Sequence, residues 1–169
     1  MGTFQAKIIV LLIPALFACT RGGAQTDNVQ FKITDINRLS NSRLRIIFRF
    51  STSGDAPVVL PKLGKDHLCS SLLRIDISDP FKTYRILPCS SAIHLDELIL
   101  DSTNGVILRH GRTCMTQIIL TQKELPLKLR SGSYRFQAEF NLQEFNITSR
   151  MGTVYKANLK SNQFILKAE

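Results

Sequence analysis

The sequence predicts an all-β fold, an antiparallel sandwich of about 7–9 strands. Apolar and polar residues alternate with period two from Val29 onward, and turn residues divide that alternation into eight runs at short intervals. The 169 residues are 44% hydrophobic and 21% charged, with 9 glycines and 6 prolines, which fits one ordinary folded domain. One buried face and one wet face per strand mark antiparallel sheets, and eight such strands stack most simply as two facing layers.

Arg43–Phe50 places Leu44, Ile46, Phe48 and Phe50 on one face and Arg43, Arg45 and Arg49 on the other. Ser133–Asn141 sends Tyr134, Phe136, Ala138 and Phe140 inward while Arg135, Gln137 and Glu139 face water. The same pattern runs through Val29–Ile36, Leu72–Ser78, Lys82–Leu87, Val106–Arg109, Thr113–Thr121 and Gln163–Ala168. Ser90–Leu100 departs from it and fits a short helix or an edge strand, so irregular structure is expected there. No internal repeat and no second domain are evident.

Ahead of the sandwich, residues 1–19 read as a signal peptide. Lys7 precedes eleven uncharged residues, Ile8–Ala18, too short for the roughly 20 that a membrane-spanning helix needs. Two cleavage sites compete. Leu16-Phe17-Ala18-Cys19 resembles a bacterial lipobox, which would make Cys19 the lipidated first residue, with Phe17 bulkier than is usual there. Gly22-Gly23-Ala24 would instead leave Gln25 first. Residues 20–28 form a polar linker, and 29–169 form the domain. Cleavage before Cys19 removes only one basic residue from a chain of net charge +9. That excess suits an anionic surface such as lipid headgroups or acidic glycans. Nucleic acid fits an exported chain poorly, and no run of five like charges occurs.

Leu129-Arg130-Ser131-Gly132-Ser133-Tyr134 suggests a tyrosine corner, with Gly132 allowing the turn and the Tyr134 hydroxyl bonding nearby backbone. Phe136 then stands where antibody domains keep a cysteine, with Phe48 as its expected partner across the core. Val106–Gly111, Ile118-Ile119-Leu120, Gly132-Ser133-Tyr134, Gly152-Thr153-Val154 and Leu159–Asn162 together resemble the last half of uncharacterised secreted immunoglobulin-like domains of bacteria. The resemblance spans Val106–Ala168 and implies the immunoglobulin-like sandwich. It implies no catalytic residues.

Outside the cytoplasm thiols that meet pair by default. Ser78-Asp79-Pro80-Phe81 is a good turn, so its flanking strands form a hairpin that brings Cys69 toward Cys89. Pairing Leu73 and Ile75 with Ile86 and Tyr84 leaves the cysteines one residue out of register, which a bulge or frayed end would absorb. Cys114 shares a face with Ile118 and Leu120 and reads as a small core side chain; His110 is too far along a strand to activate it. His67, Cys69, Cys89, His94, His110 and Cys114 are zinc-ligand types without the paired spacing of a zinc motif. Asp96 and Glu97 are adjacent acids that a strand would point to opposite faces. No metal, cofactor or catalytic constellation is expected.

The resulting expectation is an exported, non-catalytic binding or structural module of the cell envelope, in the periplasm, at the outer membrane or cell surface, or secreted. It would touch a membrane only through a lipid on Cys19, and its partner would be a protein or an anionic envelope surface. Contacts are expected on the longest loops, Ser51–Leu68 and Ser90–Gly105. The alternative is an extracellular protease inhibitor inserting Pro57-Val58-Val59-Leu60-Pro61, although an edge strand guarded by prolines accounts for that segment better. Carbohydrate binding lacks its usual aromatic platform, since the chain has no Trp.

Overall fold

The computed structural model describes residues 29–39, 43–89 and 97–168. The expected signal peptide with Cys19, the expected linker, His94 and Asp96 lie outside the described residues. Twelve strands are present among those described: β1 Val29–Leu39, β2 Arg43–Thr52, β3 Val58–Pro61, β4 Leu73–Ser78, β5 Thr83–Arg85 and β6 Leu98–Leu100 in the first half. β7 Gly105–Leu108, β8 Thr113–Thr121, β9 Gly132–Phe140, β10 Ile147–Ser149, β11 Leu159–Lys160 and β12 Phe164–Ala168 follow. The chain is an all-β sandwich. One short helix, α1 Lys65–Cys69, interrupts it, together with a 3-10 turn at Gln122–Glu124.

Each of the eight alternating runs forms a strand. The count exceeds 7–9 because four further strands of two to four residues each, β3, β6, β10 and β11, lie outside those runs. Lys82–Leu87 shortens to β5, ahead of Pro88, which has no N–H to donate to a ladder.

One layer is the antiparallel sheet β1-β2-β8. The other is ordered β11-β9-β4-β5, with β12 following β11 along the same edge of β9. Their inner faces are apolar: Leu44, Ile46, Phe48 and Phe50 of β2 face the other layer's Ile75, Ile77, Phe136, Ala138 and Phe140, all buried. The rings that cross between layers are not the expected pair. Phe31 and Phe50 reach Phe140, at centroid distances of 6.1 and 5.9 Å, while Phe48 stacks on Phe31 at 5.4 Å. Phe136 is fully buried but sits farther along β9, opposite Phe164 and Ile77.

Two small sheets complete the fold. β3 pairs with β7 antiparallel, and β6 pairs with β10 in parallel. A parallel bridge from Val59 to Val154 ties β3 to the chain beyond β10. The entirely antiparallel arrangement is therefore corrected at these places: β6 and β10 are too far apart in sequence to need a hairpin.

Candidate functional site

Cys69 and Cys89 form a disulfide with Cα atoms 5.7 Å apart. The hairpin register differs from expectation by two residues, with Ile77 opposite Tyr84 and the Ile86 N–H bonding the Ile75 carbonyl. A two-residue shift keeps every side chain on its face, so the alternation could not distinguish the two registers. Both cysteines lie beyond the end of the β4–β5 ladder, the frayed-end alternative rather than a bulge. Ser71, at φ 64°, turns the chain out of α1, which ends at Cys69, toward β4. Gly64 caps the helix, its N–H donating to Nδ1 of His67 at 3.1 Å. Burial holds His67 below its ordinary pKa, and Asp66 opposes that shift.

The other groups with reactive potential are separately engaged. His110 Nδ1 lies 3.1 Å from the Ser53 carbonyl oxygen and 3.8 Å from the Asp55 carboxylate. Cys114 is half-buried opposite Phe50, and burial raises its thiol pKa against the pull of Lys62. A thiol kept protonated is a weak nucleophile. Among the described residues no three metal-ligating side chains converge.

Tyr134 stands at the start of β9, where its hydroxyl accepts the Arg130 N–H at 3.1 Å. Gly132 adopts φ +148° in the turn before it, a region that side chains disfavour. β9 is followed by three short strands, β10, β11 and β12.

The two long loops expected to carry contacts meet each other instead. Within Ser51–Leu68, Val59, Leu60 and Pro61 are buried in β3, which pairs with β7, while Pro57 is exposed and Val58 half-buried. The Lys62 N–H bonds the Asn104 carbonyl at 2.8 Å, and its ammonium bonds the carbonyls of Ser102 and Thr103 at 3.0 Å each. Asp101 organises the turn, accepting the Thr103 N–H at 2.7 Å and hydroxyl at 2.6 Å. The Thr103 hydroxyl, followed by the Thr103 N–H, holds the Asp101 carboxyl below its ordinary range. Asn104 returns the bond, its side-chain oxygen accepting the Asp101 N–H at 2.8 Å. These polar groups satisfy one another.

Sequence reasoning passed over the apex of the β4–β5 hairpin. Asp79 accepts the N–H groups of Phe81 and Lys82 at 2.8 and 2.7 Å, and its own N–H bonds the Lys82 carbonyl at 3.0 Å. This tight turn presents Phe81 with 96% of its surface exposed. A large aromatic held on a stiff turn can anchor a partner with little ordering cost. The signal was present in Asp79-Pro80-Phe81-Lys82: a turn stabilised by Asp and Pro has no need of Phe at its apex.

The hollows of the described surface are open and shallow: one of about 290 Å³ lies between Arg38, Arg43, Gln122, Leu125 and Leu129, and one of about 410 Å³ between Arg43, Lys65, Gln117 and Ile119.

No family model matches the chain, and no curated protein matches it. Among solved structures, a selenomethionine-labelled β-glucosidase from Kluyveromyces marxianus is similar at 14% identity and TM-score 0.38, over 84% of this chain and 14% of that one. β-Glucosidase 3B from Thermotoga neapolitana, in complex with glucose, is similar at 11% identity and TM-score 0.34, over 83% of this chain and 17% of that one. The sporulation control protein Spo0M from Bacillus subtilis is similar at 6% identity and TM-score 0.35, over 83% of this chain and 48% of that one. This chain thus spans less than half of each, and likenesses this distant carry no argument about function.

Proposed function

We propose that the chain is an exported, non-catalytic binding module of the cell envelope, an immunoglobulin-like sandwich held at a membrane by a lipid on Cys19. The observation that carries this reading is the Cys69–Cys89 disulfide, which fastens α1 to the end of the β4–β5 hairpin. Such cross-links persist in oxidising compartments and are rare in a reducing cytosol. The apolar segment Ile8–Ala18 ahead of Cys19 supplies the address. Binding rests on Phe81 at the hairpin apex, a preformed contact that needs no chemistry.

Cell fractionation with thiol trapping before lysis tests the reading. The expected result is a membrane-associated chain whose Cys69 and Cys89 peptides are joined until reduced, with processing blocked by globomycin. Both thiols free in a cytosolic chain would overturn it. Export with globomycin-insensitive cleavage would remove the lipid and leave a soluble module.

A further inference from the structure

We infer that the outer face of the β1-β2-β8 sheet docks on an anionic phospholipid bilayer, an inference that rests on the membrane-anchored reading above. Alternation puts Arg43, Arg45, Ile47 and Arg49 on the outer side of β2, the central strand. Register sets Lys32 and Met115 on either side of Arg49, and Asn37 and Ile119 on either side of Arg45. With residues about 3.4 Å apart along a strand and strands about 4.8 Å apart, the four cations occupy a flat patch of roughly 20 by 10 Å.

The cations outnumber the acids on this face four to one. Asp35, beside Ile47, is the acid of these three strands on that side; it accepts a hydrogen bond from the Asn37 amide and keeps its charge. Among the described residues Lys32, Arg43, Arg45 and Arg49 enter no ion pair, and the buried Nε of Arg45 has no hydrogen-bond partner. In the opposite layer Arg85 pairs with Asp76 at 3.3 Å and Arg74 with Glu144 at 3.9 Å, while Arg135, Lys160 and Lys167 enter no ion pair among the described residues.

The rest of the patch selects the occupant. Met115 is 62% exposed, with Ile47 and Ile119 half-buried beside the arginine stems. Cationic heads on apolar stems, interleaved with aliphatic side chains, match the boundary between phosphates and acyl chains. The flat face presents no aromatic platform for a sugar ring. Attachment agrees with this orientation, because the nine residues of Thr20–Asn28 span at most about 30 Å and run directly into β1, an edge strand of this sheet.

Flotation of the full chain with vesicles tests the inference, using phosphatidylcholine alone or with about 30 mol % phosphatidylglycerol. Phosphatidylcholine reads anchoring by the amino terminus, and the gain with phosphatidylglycerol reads the face. Each arginine near an anionic surface contributes about fivefold, so Arg43→Gln, Arg45→Gln and Arg49→Gln together are expected to lower the affinity for phosphatidylglycerol vesicles about 100-fold. Arg85→Gln with Arg135→Gln, on the other layer, leaves that affinity unchanged. Should the triple Gln variant fold poorly, Arg49→Gln alone loses about fivefold and the triple Lys variant keeps binding. Undiminished phosphatidylglycerol binding by a folded triple Gln variant overturns the inference, as does a loss confined to a soluble polyanion such as heparin. Neither outcome touches export or lipidation, which globomycin and fractionation decide separately.

Discussion

The side-chain oxygen of Asn162 accepts the backbone N–H of Ile33 at 2.8 Å, joining residues 129 positions apart. Ile33 lies at the bulge in β1, on the sheet edge not covered by β2. The neighbouring Ser161 bridges the gap between β11 and β12: its N–H bonds the Ala138 carbonyl and its hydroxyl accepts the Ala138 N–H, both at 2.8 Å. Two adjacent polar residues thus complete an edge in each layer. Asn162→Ala leaves the Ile33 N–H without its acceptor and is expected to lower stability by about 1–3 kcal/mol. A urea midpoint shifted with unchanged slope would show it; an unmoved midpoint would refute the assignment.

Tyr134→Phe removes the Arg130 contact while keeping the ring, with an expected loss of about 1 kcal/mol. Gly132→Ala is expected to cost at least as much, because φ +148° is strained for any side chain. Thermal unfolding of both variants checks the corner. Equal stability of Tyr134→Phe and the parent chain would mean the hydroxyl is dispensable.

Acid should weaken the α1 region in a defined order. Burial lowers the His67 pKa below 6.5, so the unfolded chain takes up that proton first as pH falls. The stability tied to the neutral ring is full above 6.5 and is lost as pH drops through the folded value. Glu124 responds at lower pH. Burial raises its pKa, but hydrogen bonds from Lys65 and Thr121 outweigh that and hold it below 4.5. His67→Asn keeps an acceptor near Nδ1 and should abolish the first decline while leaving stability at pH 8 nearly unchanged. Denaturant curves across this range decide it; an unaltered first decline in the variant rules His67 out.

Phe81→Ser should leave stability within about 0.5 kcal/mol, since the ring packs against nothing that folding would bury. The same change should reduce partner capture in envelope crosslinking about tenfold or more. A large fall in melting temperature would instead make Phe81 structural.

The eight alternating runs were legible as strands because alternation needs only neighbouring residues. The disulfide was legible through the Asp79-Pro80 turn, although its route through α1 was not: the Ser71 backbone reversal has no glycine to announce it. Phe136 and Phe48 could be assigned to the interior, but which rings meet depends on how the layers slide, so Phe140 took the bridging place. The arginines of β2 were also visible, as a wet face. That they outnumber the acids around them emerges only when β1 and β8 are laid beside them.

The parallel partnership of Leu98–Leu100 with Ile147–Ser149 carries a temporal consequence. A ribosome delivers Leu98 well before Ile147, so no local reversal can satisfy that ribbon's amides as it emerges. Water must hold them meanwhile. That ribbon therefore closes only after Ile147 has been made, later than the antiparallel pairing of β1 with β2 and of β4 with β5.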